Sequence, residues 1–486
     1  MTCGRPSAIA NEFYDIGRSS RTFEHGMVKI RIGEIAIEDQ KAIAGRSGQA
    51  RPLALQGRFW PIWTTVTLGA FADNVPRQAL LIGIPYGVIY VPFLQNSDDA
   101  VPIIGALLPL AIFLSSPLAG QVADKVAPAL LIRRLKAIEV SLMAVSAFAF
   151  ATGNGELAIL AFFAMGSQSA FFSPARIAAM PKYLQMDELV RGNGICNAGL
   201  FAAILIGYAV GGSLIVAPNG GLFVGAVVLA ASSLGFLAAR RLTERPPDAP
   251  DLALSVNWPR LAWRMLAETR KAPGVAAPMV GVGAFFFLST AVTVALPLFA
   301  RDTMNGDALT ATALNALFAI GAGLGAIGAT LISKRSNGLA ISTLAIIAAG
   351  IVAIAIYLIA PSLSAAKAAF TIDDLFTTRE GLVLGGGFLL ASASMGLFIA
   401  PLQAAMQRRA PGGVRARIMA TAVLTNAVFA IPGSMSTLYI TRTNAPPERA
   451  FLFAGLAMLA VGAIMISRWA LLPSGSFEPA KGDRPY

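Results

Sequence analysis

The sequence predicts an all-α membrane protein with twelve transmembrane helices in two halves of six, and three observations support this. The chain of 486 residues is 56% hydrophobic and only 13% charged, which is more apolar than a soluble protein of this length needs to bury a core. Apolar segments of about 20 residues recur along it, and a helix of that length crosses the hydrocarbon layer of a membrane. The connections between these segments are alternately rich and poor in basic residues.

Twelve apolar segments can be marked by windowed hydropathy. They cover residues 61–93, 101–123, 133–152, 157–180, 195–217, 221–240, 276–300, 309–333, 338–361, 381–407, 416–441 and 450–468. The first segment is longer than one straight span needs, and it contains Pro76, Pro85 and Pro92. We therefore expect a bent helix that continues into the outer membrane interface.

The distribution of basic residues predicts the orientation of the chain. Counted with the adjoining segment ends, the even-numbered connections carry 20 lysines and arginines, and the odd-numbered ones carry five. Basic residues concentrate on the cytoplasmic side of membrane proteins, so both termini are predicted to be cytoplasmic. This assigns a polar N-terminal extension at 1–57 and a tail at 473–486 to the cytoplasm.

The longest even-numbered connection, at 242–273, divides the chain into halves at 58–241 and 274–472. Within it, residues 258–266 alternate apolar and basic side chains at helical spacing, which predicts a short amphipathic helix. This helix could lie on the inner leaflet or pack as a plain linker against the protein, and the sequence leaves both open. Two six-helix halves with a cytoplasmic middle loop form the layout of the major facilitator fold, in which the binding site lies between the halves.

Composition argues against several classes of function. The only histidine is His25 and the only cysteines are Cys3 and Cys196, which disfavours histidine-based catalysis, a metal site and a disulfide framework. No Gly-x-x-x-x-Gly-Lys sequence is present, so direct drive by ATP is not expected. The basic connections explain the net charge of +12 without nucleic acid. We expect no enzyme activity and no cofactor.

Asp73 and Arg77 are the two charged residues that we place in the bilayer core, because every other charge falls in a tail, in a connection or at a segment edge. Ionised groups at this depth are costly and usually functional. The i, i+4 spacing puts both side chains on one helix face, within reach of each other. Asp73 would bind a cation, a proton or a substrate amine, and Arg77 a phosphate or carboxylate. The alternative is a pair that neutralises itself only to ease insertion.

Other polar residues inside the segments are candidates for substrate binding or coupling, namely Asn74, Gln78, Asn197 and Gln403. Taken singly, such a residue more often forms a hydrogen bond between helices.

The connection after the second segment shows a Gly-x-x-x-Asp pattern, followed by basic residues and a glutamate. This resembles the loop motif that locks and releases helix ends in major facilitator proteins. The predicted gating residues are Gly120, Asp124, Lys125, Arg133, Arg134 and Glu139. The plainer interpretation is a solvated cytoplasmic loop.

Several further stretches are distinctive in combination. They include Gly-Ala-Phe-Ala-Asp-Asn at 69–74, Ser-Pro-Leu-Ala-Gly-Gln-Val-Ala-Asp at 116–124, Phe-Ser-Pro-Ala-Arg at 172–176, Leu-Val-Arg-Gly-Asn-Gly at 189–194, and Gly-Leu-Phe-Ile-Ala-Pro-Leu-Gln-Ala at 396–404. Together they resemble one family, the bacterial lysophospholipid transporters of the major facilitator superfamily, and the similarity runs from about 58 to 470.

The resemblance implies a secondary transporter that moves lysophospholipid, chiefly lysophosphatidylethanolamine, across the bacterial inner membrane by alternating access. It places Asp73 and Asn74 at the family's charged position in the first helix. A zwitterionic headgroup would suit Asp73 for its ammonium and Arg77 for its phosphate. The expected partners are the lysophospholipid, the phospholipid bilayer and a separate acyltransferase. We expect a monomer and no nucleic acid.

Two alternatives remain open. A proton-coupled exporter of drugs or small metabolites would use Asp73 as its proton site and have a closed, polar cavity, whereas a lipid carrier would have apolar walls and a groove open to the bilayer. A membrane receptor or scaffold without transport is the alternative from another class.

Overall fold

The computed structural model describes residues 57–93, 97–184, 188–272, 274–332, 338–364, 370–410 and 415–470. Within these residues the chain forms fourteen α-helices. Their bounds are α1 Trp60–Gly83, α2 Ser97–Lys125, α3 Pro128–Thr152, α4 Gly155–Tyr183, α5 Leu189–Ile215, α6 Gly220–Arg240, α7 Trp258–Arg270, α8 Ala276–Leu298, α9 Ala308–Ile332, α10 Gly338–Ser364, α11 Ile372–Thr377, α12 Arg379–Arg409, α13 Arg415–Arg442 and α14 Arg449–Ala470. The predicted extension, up to residue 56, and the predicted tail at 473–486 lie outside the described residues.

Twelve of these helices are long, and they confirm the all-α architecture that the sequence predicts. Eleven are long and apolar enough to cross a membrane. The twelfth is α1, with 24 residues, whose mean hydropathy is lowered by Asp73, Asn74, Arg77 and Gln78. We call α1–α6 the first half, and α8–α10 with α12–α14 the second half.

The first helix is shorter than the sequence indicates. It ends at Gly83, and in the turns that follow, the N–H groups of Val88 and Ile89 donate to the Gly83 carbonyl. Pro85 has no N–H with which to continue the helix. Gly87 adopts a left-handed φ of +73°, which costs glycine little because it has no Cβ. The expected continuation of the helix to residue 93 is therefore wrong.

The third helix begins earlier than the sequence indicates, at Pro128. Proline fits a helix start because its missing N–H would have no partner there. The early start places Lys136 about 12 Å along the helix, at 1.5 Å per residue. The Lys136 and Glu139 side chains are only 0% and 2% exposed, so they lie among packed helices and not at a segment edge. The expectation that Asp73 and Arg77 are the only charges at this depth is wrong.

The two halves meet along two helix pairs, α2 with α13 and α5 with α9. Glycine permits both approaches, since a Cβ at Gly105 would lie 2.4 Å from Ser434 Oγ, and one at Gly212 would lie 2.2 Å from Thr312 Oγ1. Both contacts lie towards the end of the bundle where α1 ends and α2 begins. We call this the far end, and the other end, where the connection between the halves runs, the linker end.

The helix α7 packs on both halves at the linker end. The ring of Trp258 lies 4.6 Å from that of Phe113 in α2, and the Met265 carbonyl accepts a hydrogen bond from Thr421 in α13. The Trp263 side chain is 65% exposed on the other face. Of the two interpretations of this helix, packing against the protein is the one that these contacts support.

Candidate functional site

A cavity of about 190 Å³ lies within the first half. Its polar lining consists chiefly of Asp73 and Asn74 from α1, Glu139 from α3, and Ser169 and Arg176 from α4. Gly69, Phe172, Ser173 and aliphatic side chains supply the remaining wall. The lining residues all belong to the first half. The expectation that the site lies between the two halves is therefore not met by this cavity.

Asp73 is held in this cavity from one side only. Its Oδ2 accepts a hydrogen bond of 2.6 Å from Ser169 Oγ. Its Oδ1 is buried and has no hydrogen-bond partner among the described residues. An ionised carboxylate normally accepts several hydrogen bonds, so Asp73 retains an unused acceptor that points to a ligand or a proton.

Lys136 and Glu139 form a buried ion pair beside Asp73. Lys136 Nζ lies 2.9 Å from Glu139 Oε1 and 2.7 Å from Oε2, and the ammonium stands over the ring of Phe172 at 4.7 Å. Gln168 donates to Glu139 Oε2 at 3.3 Å. Gly69 of α1 makes room for the lysine, because a Cβ there would lie 2.3 Å from Nζ. The pair is thus neutral and well satisfied by itself.

Arg77 does not contact Asp73, although the sequence spacing allows it. Its Nη1 donates to the Tyr208 hydroxyl of α5, and the guanidinium lies over the Tyr208 ring at 5.5 Å. Among the described residues, Asp73 and Arg77 form no ion pair within 4 Å. Because Arg77 is engaged with Tyr208 of α5, a helix that packs on α1, the self-neutralising pair is not formed.

The other residues singled out for binding are dispersed. Asn74 lines the cavity and donates to the Ala70 carbonyl at 2.7 Å. Gln78 is 1% exposed, and its Nε2 has no partner among the described residues. Asn197 is exposed, and Gln403 is half-buried on α12 in the second half. The structure therefore brings Asp73 and Asn74 together with Glu139, which the sequence analysis had grouped with the gate.

Three of the five remaining predicted gating residues contact the linker. Lys125 Nζ donates to the Leu252 carbonyl at 2.8 Å, and Arg133 pairs with Glu244 at 2.6 Å. The Asp124 carbonyl accepts from Ala249 N. These contacts hold the connection between the halves against the first half. Of the other two residues, Arg134 is exposed, and a Cβ at Gly120 would meet nothing within 4 Å.

Polar contacts between the halves cluster at the far end. Arg301 of the second half pairs with Asp98 at 2.8 Å and donates to the Pro85 carbonyl at 2.7 Å. The Tyr86 hydroxyl donates to the Gly306 carbonyl at 3.0 Å. Burial in this contact raises the pKa of Tyr86, which keeps it protonated and able to donate. The far end is closed in this conformation.

The model of the Major Facilitator Superfamily matches residues 66–434. The chain belongs to this superfamily. Together with the long apolar helices, this membership identifies the protein as a multi-pass membrane protein.

Among the relatives of this chain are two proteins named lysophospholipid transporter LplT. That of Serratia proteamaculans is 28% identical over 276 residues, or 53% of this chain and 62% of the relative. That of Salmonella gallinarum is 26% identical over 270 residues, with the same shares. The resemblance seen in the sequence is thereby confirmed, although the matched part covers less than two thirds of each relative.

Solved transporters share the fold at much lower sequence identity. An auto-inhibited peptide transporter of the POT family aligns with a TM-score of 0.64 at 14% identity, covering 87% of this chain and 99% of its own. A point mutant of the nucleoside transporter NupG aligns with a TM-score of 0.62 at 13% identity, covering 84% and 99%. These similarities confirm the two-half architecture of the Major Facilitator Superfamily fold.

Sequence reasoning missed Ser169 and Arg176, which line the cavity, and Lys136, which pairs with the lining residue Glu139. Lys136 and Glu139 have the i, i+3 spacing of a helical ion pair, and Pro128 marks the helix start that places them inside. This signal is present in the sequence, although windowed hydropathy places both residues near a segment edge. Arg176 belongs to a stretch used only for the family resemblance, and its position in the cavity follows from the packing of α4.

Proposed function

We propose that this chain is a secondary transporter of lysophospholipids, with lysophosphatidylethanolamine as its best-matched substrate. The observation that carries the proposal is the cavity around Asp73, which combines acidic and basic side chains with apolar walls. A phosphoethanolamine headgroup has one ammonium and one phosphate, so it matches both signs of charge. The relatives named lysophospholipid transporter support the same substrate class.

In this proposal Asp73 receives the ammonium of the headgroup, through the Oδ1 that lacks a partner. Arg176 lines the same cavity, and its planar guanidinium suits a phosphate. Arg77, which the sequence analysis assigned to the phosphate, is engaged with Tyr208, so Arg176 replaces it in that role.

The size of the cavity limits what it holds. Pockets for drug-sized ligands occupy about 300–1,000 Å³, and this cavity measures about 190 Å³. It suits a headgroup and leaves the acyl chain outside, along apolar helix surfaces. Exposed Phe201 and Ile206 of α5 offer such a surface next to Leu200 and Ile204, which line the cavity.

Alternating access is the mechanism we propose for the transport step. The closed far end would be the outer side, since the basic connections assign the linker end to the cytoplasm. The conformation would then be one that has delivered its substrate inwards. We further propose bacterial inner-membrane location with cytoplasmic termini, function as a monomer, and a separate acyltransferase that consumes the lysolipid.

Uptake of labelled lysophosphatidylethanolamine by proteoliposomes tests the proposal. We expect Asp73→Ala and Arg176→Gln each to lower the uptake rate at least about 10-fold, the effect of about 1.4 kcal/mol of lost binding. Asp251→Asn, which changes an exposed carboxylate of the linker, is the matched control and should retain the wild-type rate. Full uptake by Asp73→Ala would refute the assignment.

A proton-coupled exporter of drugs or small metabolites is the second candidate, because Asp73 and Glu139 place two carboxyl groups in the cavity. In that case an imposed pH gradient would drive export of a cationic drug from the same proteoliposomes, and lysolipid uptake would be absent. Comparing the two cargoes in one preparation separates the two functions.

A further inference from the structure

We infer that Asp73, Lys136 and Glu139 form a proton-exchange site, in which Asp73 holds a proton until a substrate ammonium displaces it. Lys136 stays paired with Glu139 throughout and is thereby withheld from Asp73. The identity of the displacing cation rests on the proposed function, whereas the existence of the proton site does not.

The geometry leaves one negative charge to be balanced. Both oxygens of Glu139 lie within 2.9 Å of the Lys136 ammonium, and Gln168 adds a hydrogen bond. The pair is neutral, so an ionised Asp73 beside it would give the cluster a net charge of minus one. Its sole hydrogen bond among the described residues comes from the neutral hydroxyl of Ser169. A buried carboxylate without a counter-ion is more stable when it is protonated.

No other cation is in place to neutralise Asp73 among the described residues. Arg77 on the same helix is turned to Tyr208. Arg176 of α4 lines the cavity but forms no ion pair within 4 Å in that part of the chain. The charged residues of α2 and α6, which also pack on α1, lie at the ends of those helices, namely Asp98, Asp99, Asp124, Lys125 and Arg240.

The exchange conserves charge and protons. The O–H bond of the Asp73 carboxyl group breaks, and the proton passes to water at the mouth of the cavity. The carboxylate then accepts hydrogen bonds from the incoming ammonium, so one cation replaces another in the cluster. Glu139 is a positioning residue in this scheme, because it holds Lys136 away from the site that the ammonium must enter.

Infrared spectroscopy of the purified full chain in lipid nanodiscs, without lysolipid, tests the proton site. The C=O band of a protonated carboxyl group should titrate with pH in the wild type and be lost in Asp73→Asn. Glu139→Gln frees Lys136 to pair with Asp73, so the midpoint should fall by at least about one pH unit, a 10-fold loss of proton affinity. Lys136→Met should move the midpoint the other way.

Glu156→Gln is the matched control, because Glu156 is exposed at the start of α4, and its midpoint should equal that of the wild type. Asp73→Asn and Glu139→Gln preserve side-chain shape, and thermal unfolding would verify that both variants fold. An unchanged band in Asp73→Asn, or midpoints that move the same way in Glu139→Gln and Lys136→Met, would overturn the inference.

The ammonium step has its own readout. Adding lysophosphatidylethanolamine to the wild type should release one proton per bound lipid, measured with a pH-indicator dye in weak buffer. Lysophosphatidylglycerol, which lacks the ammonium, should release none. If the carboxyl band titrates as expected but neither lipid releases a proton, the exchange with a headgroup is overturned while the proton-binding cluster stands.

Discussion

Arg301 and Asp98 form an ion pair across the two halves, with 2.8 Å between Arg301 Nη1 and Asp98 Oδ1. The two side chains are 25% and 28% exposed, and Arg301 also pairs with Asp302 and donates to the Pro85 carbonyl. One guanidinium therefore joins the end of α1, the start of α2 and the π-helical turn Phe299–Thr303 that follows α8. This contact stabilises the closed far end.

Removing this ion pair should open the far end more often. A partly exposed pair contributes about 1 kcal/mol at most, so Arg301→Gln should raise the open population about 5-fold. Thr312 is buried against Gly212 in the closed form. In a Thr312→Cys background, the rate at which a membrane-impermeant maleimide labels this position measures opening of the far end. Arg379→Gln, an exposed arginine on α12, is the control, and equal labelling rates in both variants would contradict the prediction.

A side chain at Gly212 should prevent closure. A Cβ there would lie 2.2 Å from Thr312 Oγ1 and 2.9 Å from its Cβ, which is closer than packed atoms approach. We expect Gly212→Ala to slow uptake several-fold, and the double variant with Thr312→Gly to recover much of the rate. Gly323→Ala is the matched control, since its Cβ would meet nothing within 4 Å. Failure of the double variant to recover would show that α5 and α9 are not held by this contact.

The linker should detach locally when Gln121 is truncated. Gln121 accepts from Ser255 N at 2.9 Å and donates to the Ser255 carbonyl at 3.1 Å. A hydrogen bond contributes about 1 kcal/mol, so Gln121→Ala should speed amide hydrogen exchange at Ser255 about 5-fold. Mass spectrometry of peptides from 250–257 measures this. Gln407→Ala, at an exposed glutamine of α12, should leave the exchange unchanged. If exchange at Ser255 is not faster in Gln121→Ala, then Gln121 does not hold the linker in place.

The contact of Arg77 with Tyr208 is predicted to be structural. Tyr208→Phe removes the hydrogen bond but keeps the ring under the guanidinium, and such bonds between membrane helices contribute about 0.6 kcal/mol on average. We expect a small decrease in Tm and an uptake rate within about twofold of the wild type. A loss of uptake as large as that of Asp73→Ala would instead give Arg77 a direct role at the substrate.

Much of the fold was predictable because a helix in lipid satisfies its own backbone hydrogen bonds. The length and hydropathy of each apolar segment therefore predict a helix there. The errors lie in where helices begin and end, and they occur at proline and glycine. Pro85 and Gly87 end α1 early, and Pro128 starts α3 early. Because α3 starts at Pro128, Lys136 and Glu139 lie among packed helices. The predicted start at residue 133 had placed them near the edge of the segment.

The candidate site was only partly predictable. Asp73 was identified by its depth in an apolar segment, and the structure places it in a cavity. Its partner was misassigned, because i, i+4 spacing shows which side chains can meet on one helix but not which neighbouring helix offers a better contact. Tyr208 and Ser169 are more than ninety residues away from Asp73 and Arg77 in the chain, and only packing brings them near.

The sequence by itself determined that this chain is a bundle of membrane helices in two halves, since hydropathy and helix length are local properties of each segment. Only the tertiary structure decided which charges share a cavity. A buried charge is stabilised by whatever donor, acceptor or counter-ion the adjacent helices bring within about 3–4 Å, and that depends on how helices far apart in sequence pack. The burial of the Lys136–Glu139 pair, and the open acceptor left on Asp73, follow from that packing.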